Sequence, residues 1–501
     1  MSAVESGHGA RLLVTVTGSG GDAAYWRHRL DQTRADVLRS DGAVTAISIS
    51  EPHRMGNFLG CLNAWKTVRS SVGDCDVGVV NMVVGKGTRL SPFTQRLANR
   101  KSAFPTPLLG RTSGLHLTIA EVAVLSVAHV RATLAGSGFR GLLVKWGDEA
   151  IIPAATSFGL QDLRTCDAVR FGWRTPPTER LAREKEWLVS HGPDGEMVAE
   201  IARQPLRELR RRTAAVGEAT PSVNLGMFAI SYDFLDAAVG VFEDALHSES
   251  TWVDWDPYFW MAFHADSADA WEHEKGAEAR TGVRGIRDLE SRIPGFFEKV
   301  SAVRKALTDM RNRPPKVVAA HLESPFWVDF GSHSTLRECF EALRASAAFG
   351  PVVRTLFQIT HERDERGNIV VRSSLPAGAD IRDSVIIDAV IADERTQMSQ
   401  GVIFGGSYGR VLMPHGGVAI LSDVAHLELA SGDAVAFRSA GDLVRLGPGD
   451  RHTSLTVAGR AIHLRGNEQI ADYTGAAYVE PILGNELSFD EAARLFEGKR
   501  Q

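Results

Sequence analysis

The sequence predicts an α/β domain with a mixed, mainly parallel sheet, followed by a β-rich C-terminal domain. Three observations carry that prediction. Apolar and β-branched runs at Leu12 to Thr17, Val44 to Ile49 and Val77 to Val84 are separated by helical patterns, and the third is apolar almost throughout, as a strand covered on both faces should be. A helical stretch from Ile119 to Leu134 is followed by strand candidates at Gly141 to Lys145 and Ala168 to Phe171, an alternation that favours right-handed crossovers around a parallel sheet. From Leu375 to about Leu464 the texture changes to short Val, Ile and Leu runs broken by Gly, Asp and Ser.

Composition bounds the function. At 501 residues the chain exceeds one ordinary hydrophobic core, so two domains are expected, and 44% hydrophobic with 23% charged residues is globular. Its 61 acidic and 56 basic side chains leave a net charge of −5, which gives no field for a polyanion, so no nucleic acid partner is expected. The basic run Arg207 to Arg212 reads as a solvated helix face. Cys61, Cys75, Cys166 and Cys339 lie far apart with no CxxC pair, which suggests neither a zinc site nor a disulfide framework and fits a reducing cytoplasm. The N-terminus lacks a signal-peptide pattern and no run reaches membrane length, so a cytosolic protein with no membrane partner is expected.

The elements follow in order. Leu12 to Thr17 ends in Gly18, Ser19, Gly20 and Gly21 before a helix, where a plain turn is preferred to a role at a nucleotide site. Trp187 to Ser190 and Met197 to Ala202, across Gly192-Pro193-Asp194-Gly195, read as a hairpin. Helices are expected at Pro294 to Arg311 and Leu336 to Ala348, with a linker near residues 350 to 375. Ala379 to Ile391 spaces small apolar residues at roughly six-residue intervals, as at Ile381 and Ile387, which resembles coils of a left-handed parallel β-helix. The pattern fades, leaving a β-sandwich as the alternative beyond Gly405. Leu487 to Gly498 reads as a helix capped by Ser488.

Chemistry concentrates after the third strand. Val77 to Val84 runs into Gly85-Lys86-Gly87-Thr88-Arg89-Leu90-Ser91-Pro92-Phe93-Thr94, and Arg100-Lys101-Ser102-Ala103-Phe104-Pro105 follows. Glycines let backbone N–H groups approach an anionic ligand, as in a phosphate-cradling nest. Arg89 offers a planar fork for phosphate oxygens and Lys101 a second positive charge.

This spacing resembles the signature of the sugar-1-phosphate nucleotidyltransferases, G-G-x-G-T-R-L with a later P-K near a proline. It departs at Val84, where that family has its first Gly, and at Arg100, where it has Pro before the Lys. Val144-Lys145-Trp146-Gly147-Asp148 ends a strand where the family holds a magnesium-binding aspartate, so Asp148 is the candidate and Gly147 joins the nucleotide-binding set of Gly85, Lys86, Gly87 and Thr88. Ser222-Val223-Asn224-Leu225-Gly226 resembles the family's sugar-contacting N-x-G strand. Trp327-Val328-Asp329-Phe330-Gly331 resembles its W-x-D-x-G element, making Asp329 the second metal ligand. Where many members have E-K-P on the sugar and its phosphate, this chain has Arg203-Gln204-Pro205, which points to an unusual acceptor.

The resemblance implies a Rossmann-like nucleotidyltransferase domain over residues 77–355, with 1–76 as its βα extension and 370–501 as the β-rich domain. It implies transfer of a nucleotidyl group to a sugar-like 1-phosphate with Mg2+ and release of pyrophosphate, with Arg89 and Lys101 catalytic. The N-terminal extension, Val84, the Arg203-Gln204 change and Trp252 to Trp260 look more like the guanylyltransferases acting on valienol 1-phosphate in aminocyclitol antibiotic pathways, which favours GTP. Glucose-1-phosphate uridylyl or adenylyl transfer is the alternative. A non-catalytic nucleotide or sugar-phosphate sensor is the alternative of another class. An acyltransferase would need more regular coils and a catalytic His.

Asp254 and Asp256 are read as structural, Asp256 before Pro257 being a good helix start. His452 and His463, without paired ligand spacing, are read as ordinary histidines. Exposed strand edges of the β-rich domain favour a homo-oligomer.

Overall fold

The computed structural model describes residues 12–38, 45–53, 55–72, 76–152, 162–191, 195–217, 219–248, 256–280, 285–347, 349–457, 459–468, 470 and 475–497. Cys75, the hairpin tip Gly192-Pro193-Asp194 and the stretch Trp252 to Trp255, with Asp254, lie outside them. The chain divides into two compact units, one of Met1–Val84, Ala123–Gly147 and Ile151–Phe326, the other of Gly85–Val122, Asp148–Ala150 and Trp327–Gln501.

The first unit is a mixed α/β layer structure. Its strands are β1 (Leu12–Thr17), β2 (Thr45–Ser50), β3 (Val77–Met82), β4 (Gly141–Trp146), β5 (Ala168–Arg174), β6 (Trp187–His191), β7 (Met197–Ile201), β8 (Ala219–Ser231) and β9 (Val317–Glu323). They form one nine-stranded sheet in the order β7-β6-β8-β4-β3-β1-β2, with β5 pairing both β8 and β9. Pairs β1–β2, β1–β3, β3–β4 and β5–β9 are parallel, whereas β8 runs antiparallel to β4, β5 and β6, and β6 to β7. The sheet is therefore mixed, its parallel half gathered around β1 and β3.

Burial explains why the first strands read as continuous apolar runs. Every residue of β1 and of β3 is buried. Leu12, Val14 and Val16 pack with Phe58, Leu59 and Leu62 of helix α1 (Gly56–Val68) on one face, and Leu13 with Leu30, Val37 and Leu38 on the other. The long strand β8 is interrupted between Asn224 and Phe228, where its register on β5 shifts. Asn224 Oδ1 accepts the Gly226 N–H at 2.8 Å and Gly226 takes φ +71, so the Asn-x-Gly sequence itself builds the bulge.

The second unit is built on stacked parallel coils. Ile369, Val385, Val402, Val418, Val435 and Arg451 pair successively in register, steps of 16 or 17 residues. These steps are whole coils; within one coil the inward residues are Ile381, Ile386 and Ile391, so Ile386 and not the expected Ile387 joins the inner cluster, and the β-sandwich alternative beyond Gly405 is replaced by continued parallel coils. Their corners recur at the same steps: Arg372, Asp388, Gly405, Leu421 and Arg438 all have positive φ. Inside the stack, Ile386, Ile403, Ala419 and Ala436 form one buried column. The last coil strand, Asp450–Val457, turns antiparallel into Arg460–Asn467, and helix α2 (Phe489–Glu497) follows. Ser488 and Glu491 exchange backbone N–H bonds at 3.2 and 2.9 Å, a capping box at the expected helix start.

Residues 85–122 join this unit through aromatic contacts on the outer face of the coils. Phe104 stacks on Phe437 with centroids 4.3 Å apart, Phe93 meets the same ring at 5.4 Å, and His116 meets Phe404 at 4.7 Å. The segment 77–355, kept together in the sequence reading, is for this reason shared between both units. Gly406 tests the coil stacking, since it lies at φ +101 and a side-chain carbon there would stand 2.0 Å from the Ser422 carbonyl oxygen. Gly406→Ala is expected to lower stability by about 2 kcal/mol or more in chemical denaturation, from overpacking and left-handed strain together.

Candidate functional site

In the second unit, the glycine loop is shaped by its neighbours. Gly85 and Gly87 have φ of +93 and +64, the left-handed region that favours glycine. A side-chain carbon on Gly87 would stand 2.4 Å from Lys101 Cβ and 3.1 Å from Thr94 Cγ2, so the loop rests directly on the lysine stem. Thr88, Arg89 and Leu90 then form a short 3-10 turn with Leu90 buried and Arg89 exposed.

Four charged side chains converge beside it. Lys101 Nζ lies 2.5 Å from Asp148 Oδ2, with both side chains largely buried, and Arg89 Nη2 lies 4.0 Å from Asp329 Oδ2. Gly331 marks the meeting point: a side-chain carbon there would stand 2.7 Å from Asp329 Oδ1, 2.9 Å from Arg89 Nη2 and 3.2 Å from Asp148 Oδ2. The backbone holds both carboxylates in place, since Gly331 N–H donates to Asp329 Oδ1 at 2.6 Å and Phe330 N–H to the Asp148 carbonyl at 2.8 Å. Loss of water around Asp329, and then the nearby Asp148 charge, hold the Asp329 carboxyl above the usual carboxylate range.

Two carboxylates aimed at one small space suit a hard divalent cation. Among the described residues no group of three or more His, Cys, Asp or Glu converges as a metal cage. Magnesium takes one or two carboxylates and fills its remaining positions with water and substrate phosphates, and Asp148 with Asp329 matches that donor set.

His333, unremarked in the sequence reading, ties the two halves of this cluster. It follows Gly331-Ser332 directly and opens helix α3 (His333–Ala342), capped by Ser332. Its Nε2 donates to the Ser91 carbonyl at 2.8 Å, and its ring meets Phe93 edge-on at 4.8 Å. Burial, with Arg451 adding repulsion, pushes its pKa down to about 3. The signal was present in sequence only as a histidine two residues beyond a W-x-D-x-G element.

The remaining expected residues lie in the first unit. Gly147 packs against Val83 and the Met82 carbonyl, and its N–H donates to that carbonyl at 2.7 Å. Asn224 Nδ2 donates to Glu200 Oε1 at 2.9 Å, and Glu200 also takes the Arg170 guanidinium at 3.0 and 3.1 Å in a fully buried pair. Arg203 is held by Glu186 and faces Glu278 at 4.0 Å, so its charge is already offset by carboxylates. Burial first, and then Glu186, outweigh Arg203 and raise the Glu278 carboxyl to about 7. Gln204 is buried, and neither end of its amide has a hydrogen-bond partner among the described residues. Sequence reasoning missed Glu200, Arg170, Glu186 and Glu278, which are scattered along the chain and carry no shared motif.

His452 and His463 stack at 5.3 Å, with Nε2 of one 3.2 Å from Nδ1 of the other. The helical window Ile119–Gly136 is apolar enough for a membrane span, yet 61% of it is buried in the protein.

Neither a protein-family model nor a curated protein matches this chain. Among solved structures, it is similar to UDP-glucose pyrophosphorylase from Acinetobacter baumanii. That match has 9% identity and a TM-score of 0.24, covering 70% of this chain and 99% of that one. A likeness at that level bears on neither fold nor function.

The His333 linkage has a definite sign. An unfolded histidine titrates near 6.5 and the folded one near 3, so its neutral burial contributes stability that is full above about 6.5 and lost as pH falls toward 3. The stability of the wild type relative to His333→Gln is expected to fall by up to about 1.4 kcal/mol per pH unit across that window. Denaturant titrations of both proteins from pH 7 to pH 4 would show it, and a pH-independent difference would contradict it.

Proposed function

We propose that this chain is a nucleotidyltransferase that joins a nucleoside triphosphate to a sugar or cyclitol 1-phosphate and releases pyrophosphate. The observation that carries this reading is the convergence of Arg89, Asp148 and Asp329 on Gly331, with Lys101 paired to Asp148, beside a loop with two left-handed glycines. GTP with valienol 1-phosphate is the favoured pair, in a cytoplasmic homo-oligomer. The support for that pair is the Arg203-Gln204 departure and the sequence character described above.

A 1-phosphate oxygen attacks the α-phosphorus of the nucleotide, a new P–O bond forms, and the α–β bridge breaks in line as pyrophosphate departs. No covalent enzyme intermediate is required. Amides of Gly85 to Thr88 cradle the triphosphate, Arg89 meets developing charge on its oxygens, and Lys101, held by Asp148, offsets charge on the departing group. Asp148 and Asp329 would hold magnesium, which when bound neutralises phosphate charge. Within the first unit, Asn224 and Gly226 form a polar bulge and Gln204 offers a buried amide, while the Arg203 guanidinium can donate to substrate hydroxyls and its neighbours Glu186 and Glu278 can accept from them. Such a carboxylate-rich set suits a polyol ring better than a bare phosphate.

The deciding experiment presents the purified chain with magnesium, all four triphosphates and a panel of sugar and cyclitol 1-phosphates, and measures pyrophosphate. Turnover with GTP and valienol 1-phosphate is expected; turnover with UTP or ATP and glucose 1-phosphate would move the reading to the alternative. Binding without turnover on any pair would make the chain a sensor. Arg89→Ala should lower kcat/KM by about 100-fold or more, roughly 3 kcal/mol of transition-state stabilisation; unchanged pyrophosphate release would remove Arg89 from the mechanism.

A cation should also relieve the repulsion between the two carboxylates. Millimolar Mg2+ is expected to raise the Tm of the wild type and not that of Asp148→Asn/Asp329→Asn, as read by calorimetry.

A further inference from the structure

Residues 475–497 lie outside every motif given a chemical role above, yet they pack on the turn between the glycine loop and Lys101. Ala98 is buried in one cluster with Leu455, Leu464, Tyr478, Phe489 and Phe496. The Arg96 guanidinium lies 5.0 Å from the Phe496 ring centroid. This turn needs outside support, because Ala98 and Asn99 both take left-handed conformations, with φ of +52 and +60, and Ala has no local means of stabilising one. Asn99 Oδ1 accepts Tyr478 Oη–H at 2.9 Å and Gln95 Nε2–H at 3.3 Å.

Tyr478 also faces the glycine loop. Lys86 Nζ lies 5.7 Å from the centroid of its ring. Lys86 is exposed and stands between Gly85 and Gly87, so neither neighbour brings a side chain to restrain it. Tyr478 is itself 6% exposed and anchored through its hydroxyl, which makes its ring a fixed plate beside an exposed cation.

We propose that Tyr478 is a positioning residue that holds the Lys86 ammonium ready for the polyphosphate of the substrate, so that the C-terminal helices belong to the phosphate-binding apparatus. This rests on reading Gly85 to Thr88 as a phosphate loop. A fixed ring face lowers the orientational freedom that Lys86 loses when the anion arrives, and the effect is therefore felt in binding.

The test is a double-mutant cycle on the full chain, with inorganic tripolyphosphate and Mg2+ as the probe in titration calorimetry. Lys86→Met and Tyr478→Leu should each weaken binding about threefold to tenfold. The double variant should bind no more weakly than Lys86→Met alone, because Tyr478 acts through Lys86. Tyr478→Phe keeps the ring and should lose less than Tyr478→Leu. Wild-type affinity in Tyr478→Leu, or an effect that adds in full to Lys86→Met, overturns the proposal.

If Tyr478→Leu does not fold, phenylalanines of increasing fluorination at position 478 weaken the ring's negative face without changing its shape. Affinity must then fall with each step, and a flat series overturns the proposal. A wild type that binds tripolyphosphate but transfers no nucleotide to any 1-phosphate would sink the nucleotidyl-transfer reading and leave this one standing. A wild type that does not bind the probe overturns this one, while the turnover assay judges the other by itself.

Discussion

The Lys101–Asp148 ion pair, at 2.5 Å between largely buried side chains, is the contact on which the candidate site depends. Removing either partner would leave the other charge with little water to compensate it. Its stem also explains the glycine at 87, since any larger residue would collide with Lys101 Cβ. One lysine thus fixes a carboxylate with its ammonium and a loop conformation with its methylenes. Gly331 is required for the complementary reason, closing the opposite side without filling it.

Below that cluster, the coil stack acts as a floor. Phe404 and Phe437 occupy equivalent outward positions on different coils and receive His116, Phe93 and Phe104. The β-rich region, which sequence texture marks as a separate C-terminal domain, is in this way the base on which the charged loops are built. His333 adds a neutral hydrogen bond from the helix after Gly331 back to Ser91, so the loop is tied by a contact that does not compete with the ion pairs.

Much of this was legible in the sequence where the signal is local. Strands β1, β3 and β4, the hairpin of β6 and β7 and the Ser488 cap all follow from patterns a few residues long. The glycine loop and its charged neighbours were legible as residue types at a spacing. What escaped was non-local. The coil repeat of 16 or 17 residues is disguised because its corners are filled by Arg, Asp, Gly and Leu in turn, which share a backbone conformation and no side-chain chemistry. His333, Glu200, Arg170 and Tyr478 gain meaning only from partners far away in the chain, as with Tyr478 and Asn99.

The alternation of 16- and 17-residue steps has a consequence for how such a chain can change length. Each coil offers the next the same ladder of amides and the same column of apolar side chains, so a whole turn duplicated or deleted would present an almost unchanged upper surface. A one-residue insertion within a strand would instead reverse inward and outward positions for the rest of that strand. Divergence of this unit is therefore expected to proceed by entire storeys, leaving the aromatic platform beneath the charged loops intact.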